Sequence, residues 1–174
     1  MNRRTAFKNL VLASGTFITL PSWVVAIGLA DKPGFETSFT QEEQRVLSAV
    51  ADTIIPAGSA IGAISVGVDK YLLKVFDDCY EPEITTAIKK QLHNLEGSAV
   101  TAYSKSYTDL SYELRLQLLL NLSTSSLKED QDFFKLIKSE TIRGFNTSRE
   151  VMVGYLGYKV APGHYYGSVD LKKS

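Results

Sequence analysis

The stretch from Pro82 to Ala99 limits the fold of this chain more than any other part of its sequence. Ile84, Ile88, Leu92, Leu95 and Ala99 recur every three or four residues. On a helix, turning about 100° per residue, they form one stripe, whereas on a strand they would scatter over both faces. Pro82 suits the first turn of that helix, where its missing N–H costs nothing. A stripe of this length must be buried against other helices, and the rest of the chain supplies them.

Thr40-Gln41-Glu42-Glu43 reads as a capping box, followed by Val46, Leu47, Val50 and Ile54 at helical spacing, and Pro56, Gly58 and Gly62 break the pattern. A second helix is predicted from about Val66 to Cys79, with Val68, Leu72, Val75 and Phe76 on one side. Ser111 is placed to cap a fourth, with Leu114, Leu118, Leu119 and Leu122 facing inward. Phe133, Phe134, Ile137 and Thr141 mark a fifth that should stop near Gly144, and a second capping box, Thr147-Ser148-Arg149-Glu150, should open a short last helix through Leu156. From Gly157 the chain turns irregular and tyrosine-rich. No stretch alternates as a strand does. The predicted fold is all-α: a small bundle of about five to six helices with an irregular, aromatic-rich C-terminal segment, preceded by an N-terminal signal helix.

That first segment, residues 1–30, reads as an address separate from the helical domain at 31–174. Arg3, Arg4 and Lys8 form a basic head, and no charged residue follows until Asp31. A basic head before a modestly apolar run is how export signals read, and the adjacent arginines point to the twin-arginine route for folded proteins. The match is incomplete, since Ala6 and Phe7 stand where Phe and Leu are usual. Two fates are open: cleavage after small residues near Ala26 or Ala30, or retention as an anchor, for which about 20 residues suffice. The expected location is the periplasm, with inner-membrane association if the anchor stays.

The remaining composition excludes several functions. The formal net charge is zero, which argues against nucleic acid as a main partner. The single cysteine, Cys79, permits no internal disulfide and is expected to be a small buried residue late in a helix, or else a bridge to a partner. With two histidines, His93 and His164, not at i, i+4 spacing, a closed zinc site is not expected. Neither Cys-x-x-Cys-His nor Gly-x-Gly-x-x-Gly nor Gly-x-Ser-x-Gly occurs, so no haem attachment, dinucleotide cradle or hydrolase nucleophile is indicated. His93 is expected to be structural. Asp77-Asp78 and Glu129-Asp130-Gln131-Asp132 are expected to be solvated, the latter favoured at a helix N-terminus.

The C-terminal third carries a resemblance. The run from Phe133-Phe134 through Thr141, Gly144-Phe145 and Thr147-Ser148, then Tyr155-Leu156-Gly157-Tyr158 and Pro162-Gly163-His164-Tyr165-Tyr166-Gly167, is similar to the ending of the gluconate 2-dehydrogenase subunit 3 family. Upstream, Ala51-Asp52-Thr53-Ile54-Ile55-Pro56, Gly62-Ala63 and Gly67-Val68 resemble an element of the same family, although Ser59-Ala60-Ile61 departs from its usual loop.

The resemblance implies a non-catalytic small subunit that escorts and stabilises a large FAD-dependent subunit of the glucose–methanol–choline type, oxidising gluconate, glucose or a glycoside. It implies no catalytic, cofactor-binding or metal-binding residue in this chain. FAD would sit in the large partner and haem c in a cytochrome c partner, and the twin-arginine export machinery would be a further partner. Phe145, Tyr155, Tyr158, His164, Tyr165 and Tyr166 are the candidate interface, because aromatics are enriched as interface anchors. Two alternatives stay open: a membrane-anchored helical scaffold, and an independent exported oxidoreductase working through His164 with Tyr165 or Tyr166.

Overall fold

The structure, a computed structural model, describes residues 36–58, 60–161, 163 and 167–168. The signal segment with Arg3, Arg4 and Lys8 lies outside the described residues, as do His164, Tyr165 and Tyr166. Among the described residues there is no strand. Five α-helices follow one another: α1 Gln41–Ile54, α2 Val68–Asp78, α3 Pro82–Tyr103, α4 Tyr112–Ser123 and α5 Lys128–Asn146. Short 3₁₀ turns precede α2 (Ile64–Val66) and α4 (Tyr107–Asp109), and a π-helix, Glu150–Tyr155, follows α5. None of these helices is long and apolar enough to cross a membrane.

α1 is the hub and packs against each of the other four α-helices. Its start is fixed by the predicted capping box: the Glu43 amide donates to Thr40 Oγ1 at 3.3 Å and the Thr40 amide to Glu43 Oε2 at 2.8 Å. Leu47, Val50 and Ala51 are fully buried, with Val46 and Thr53 nearly so. Beyond Ile55 the chain doubles back, and the Ala63 amide donates to the Ile55 carbonyl at 2.9 Å. The turn is tight enough that a Cβ on Gly62 would lie 2.8 Å from the Pro56 carbonyl carbon, which accounts for glycine there.

α3 begins at Pro82 as predicted, and Ile88, Leu92, Leu95 and Ala99 are buried along one side. Ile84 sits at the margin of that stripe and is exposed. Thr85 ties α3 to the end of α2, its hydroxyl donating to the Phe76 carbonyl at 2.8 Å inside the core. In α4, Leu118 and Leu119 are buried and Leu114 and Leu122 pack at the edge of the core. Ser111 does precede α4, but its side chain makes no capping bond to the helix backbone.

Three expectations are corrected. α5 ends at Asn146, near the expected place, but Gly144 is inside the helix and is not its stop. Gly144 is needed inside the helix because the Tyr71 ring of α2 lies directly against it, where a Cβ would overlap the ring. The second capping box does not form. Thr147 closes α5 and turns its hydroxyl back to the Arg143 carbonyl at 2.8 Å, while Ser148 Oγ donates to the Phe145 carbonyl and receives the Val151 amide at 3.4 Å. The last helix is a π-helix, with Leu156 N–H bonded five residues back to Val151. Cys79 lies just past the end of α2 and is exposed, not buried.

Gly144→Ala should destabilise the domain by about 1–3 kcal/mol, the usual cost of forcing a group into a packed contact. Gly154→Ala is the control, since nothing lies near its Cβ position, and thermal unfolding of the two variants should separate them clearly.

Candidate functional site

Three polar clusters organise the helices. The first lies between α1 and α4. Arg115 Nη2 pairs with Asp52 Oδ2 at 3.2 Å, and Nη1 donates to the Ala49 carbonyl at 3.4 Å. Thr53 Oγ1 donates to the same carbonyl at 2.7 Å. Tyr107 fills the space beneath, its amide donating to Glu96 and its hydroxyl to the Arg115 carbonyl. Burial pushes the Tyr107 phenol up to about 12, outweighing the nearby Thr53 hydroxyl and the Arg115 charge.

The second cluster centres on Glu140 of α5, which is 2% exposed. Tyr80 donates to its Oε1 at 3.0 Å, Tyr71 to its Oε2 at 3.3 Å, and Arg143 pairs with Oε1 at 3.1 Å. Burial, together with the hydrogen-bonded Glu140 carboxylate, raises the pKa of both tyrosines. A buried carboxylate is tolerable only when its oxygens are bonded, as these are. The signal for Glu140 is visible in the sequence: it occupies the third position of the inward-facing row Phe133, Ile137, Glu140, Gly144.

The third cluster fastens the segment before α1. Both hydroxyls of Thr37 and Ser38 donate to Asp77, as does the Ser38 amide at 3.1 Å. Lys89 donates to the Ser38 carbonyl at 2.8 Å and lies over the Phe39 ring. Asp77 is therefore not a free carboxylate, contrary to the expectation. Burial alone would raise its pKa, but the Ser38 and Thr37 hydroxyls, the Ser38 amide and Lys89 outweigh it and hold it below the usual range.

These groups brace helices, and the remaining candidates stand apart from them. His93 is exposed on α3, and Cys79 is exposed past α2. Among the described residues no three His, Cys, Asp or Glu side chains gather as a metal site. A hollow of about 630 Å³ is an open depression along α1 bordered by Arg45, Ser48, Asp52 and Arg115. Glu129 and Asp130 do lie in the first turn of α5, where the helix dipole favours them.

The candidate interface divides. Phe145 is half-buried and packs against the core. Tyr155 and Tyr158 are 64% and 50% exposed, and Val153, Leu156 and Val160 beside them are exposed as well. Only Val151 of the π-helix is buried.

The fold defines a small all-helical domain whose buried polar groups brace its helices, with five of its exposed large apolar side chains between Val153 and Val160. The chain is a member of the gluconate 2-dehydrogenase subunit 3 family, whose profile matches residues 41–163. It is thus a small subunit of a multi-subunit dehydrogenase complex. No curated protein and no solved structure matches it.

Asp77→Ala should cost about 1–3 kcal/mol at neutral pH, the usual worth of hydrogen bonds to a charged group. Because the folded pKa is depressed, this stability is complete above the unfolded carboxylate value near about 4 and is lost as pH falls through the folded one. Urea midpoints of wild type and variant should converge as pH falls below the ordinary carboxylate range. Arg143→Ala leaves the Glu140 charge with only its tyrosine donors. The expected loss is about 1–2 kcal/mol at pH 7 by urea unfolding, below the value for a fully buried pair because Arg143 is largely in water.

Proposed function

We propose that this chain is the escort subunit of an exported, flavin-dependent sugar dehydrogenase, holding the catalytic subunit in a folded complex and carrying the export signal for both. The observation that supports this best is the apolar row in the C-terminal segment. Val153, Tyr155, Leu156, Tyr158 and Val160 are 56%, 64%, 65%, 50% and 90% exposed within eight residues of sequence. Burying each such side chain is favourable by roughly 1.5–3 kcal/mol. Scattered single apolar residues at a surface mean little, but a contiguous group points to a covering partner.

The order of events follows from physics. The twin-arginine route carries folded proteins, so the two chains must associate before translocation and stay together through it. That requires an interface of stable size, on the order of 1,200–2,000 Å² in total. An apolar segment at the end of the domain adds to such an interface without disturbing the bundle core. The basic head, Arg3, Arg4 and Lys8, stands at the opposite end of the sequence. In this reading FAD belongs to the catalytic partner and haem c to a cytochrome partner, the oxidised substrate is gluconate, glucose or a glycoside, and the complex works in the periplasm.

Deleting residues 1–30 should leave both this chain and the catalytic subunit in the cytoplasm when the two are co-expressed in the native host. Cell fractionation with dehydrogenase assay of each fraction is the measurement. Normal periplasmic activity from the deletion strain would overturn the escort reading.

A further inference from the structure

The residues leading into α1 are fastened more heavily than α1 itself requires. The compact helical unit begins at Thr37, and the capping box of Thr40 and Glu43 already fixes the first turn of the helix. Even so, every backbone and side-chain polar group of Ser38 and Phe39 is bonded. Asp77, near the end of α2, accepts the Thr37 hydroxyl at 2.6 Å, the Ser38 hydroxyl, and the Ser38 amide at 3.1 Å. Lys89 of α3 donates to both the carbonyl and the hydroxyl of Ser38 at 2.8 Å. The Phe39 amide donates to Thr37 Oγ1 at 3.2 Å, and its carbonyl accepts from the Gln44 carboxamide at 2.7 Å. The Phe39 ring is buried 6.4 Å from the Phe76 ring, with the Lys89 ammonium 4.8 Å over its other side chain face.

We propose that Asp77 and Lys89 form a latch on residues 37–39 that closes only in the folded domain and fixes where the signal segment departs from it, so that export depends on the latch. The inference rests on the export part of the escort reading. The first residues of a domain are ordinarily loose unless something ties them down, and here the tie is drawn from two other helices. Its bonds span 39 to 51 positions of sequence. They form only once α2 and α3 have come to the start of α1, because nothing local holds such distant groups together. A half-assembled domain therefore has an open latch. Bonds to an ionised carboxylate or ammonium are stronger than neutral ones, and releasing the segment would also return the Phe39 ring to water. The latch opens as one unit, separately from the bundle core.

The test uses the full chain co-expressed with its catalytic subunit, in four forms: wild type, Asp77→Ala, Lys89→Met and Gly144→Ala. Gly144→Ala is expected to weaken the domain about as much as Asp77→Ala without touching the latch, so it controls for stability alone. Cleavage of the Glu36–Thr37 bond by a glutamyl endopeptidase, followed by mass spectrometry, reads the latch directly. Glu36 is exposed, but the protease must draw Thr37 and Ser38 free to reach the bond. Cleavage should be about tenfold faster in Asp77→Ala, about threefold faster in Lys89→Met, and within about twofold of wild type in Gly144→Ala. In the native host the dehydrogenase activity reaching the periplasm should fall in both latch variants and stay near wild type in Gly144→Ala. If Asp77→Ala fails to fold, Lys89→Met decides both readouts. Unchanged cleavage in the latch variants, equal acceleration in Gly144→Ala, or an opened latch with normal export overturns the inference and leaves the escort reading standing. A wild type whose activity stays in the cytoplasm defeats the export reading, and the inference with it.

Discussion

The packing of α1 against four other helices is the constraint from which the rest of the domain follows. A helix with neighbours on most sides needs an apolar face far wider than a surface helix does. Thr53, Val46, Val50, Ile54, Leu47 and Ala51 span an arc of about 160° at 100° per residue. Small side chains at Ala51 and Ala63, both fully buried, let the neighbouring backbones come close. Helices that meet a common axis cannot all be joined by long loops in so short a chain. The α2–α3 connection is short and tied by the Thr85 bond to the Phe76 carbonyl, while the longer α1–α2 connection doubles back closely at Gly62.

Polar residues on inward-facing stripes then take on the task of fixing which helix lies where. Apolar contact alone is non-directional, whereas Arg115 to Asp52 and Tyr80 to Glu140 each specify one partner and one distance. The sequence elements shared with the family find their physical reasons here. Asp52 and Thr53 hold α4 and the last turn of α1, and Gly62-Ala63 forms the return turn. Thr141 is fully buried, Gly144 lies against the Tyr71 ring, and Ser148 bonds the exit of α5 to the start of the π-helix.

Much of this was readable from the residues alone, and the failures share a cause. The α1 capping box, the proline start of α3 and the stripes of α3, α4 and α5 are local patterns, and local patterns decide helices. Gly144 was misread because its role depends on Tyr71, far away in sequence, and a glycine near a helix end ordinarily signals a stop. Thr147-Ser148-Arg149-Glu150 has the letters of a capping box, but α5 continues into it, so the Thr147 hydroxyl finds a carbonyl in its own last turn first. Asp77 was taken as solvated because nothing in its neighbourhood reveals that Thr37 and Ser38 return to it across about 40 residues of chain. Glu140, Arg115 and Gln91 did leave a trace, each being a polar residue on an apolar stripe. A polar group at such a position is a question about its partner.

That question separates the two halves of the α3–α5 contact from the other clusters. Glu140 answers it within the chain, and Arg115 does so through its two terminal nitrogens, both with partners at ordinary hydrogen-bond distances. Gln91 does not, and it sits where the wall between the two helices opens to the surface. The C-terminal segment presents the same asymmetry in apolar form: Val151 is anchored, while the five large side chains after it are not. The domain is complete as a fold, and the Gln91 oxygen beside the α3–α5 cleft and the apolar row of the C-terminal segment are among the groups it leaves without partners. For a member of a subunit family, that terminal segment is where recognition can be selected without altering the core that α1 organises.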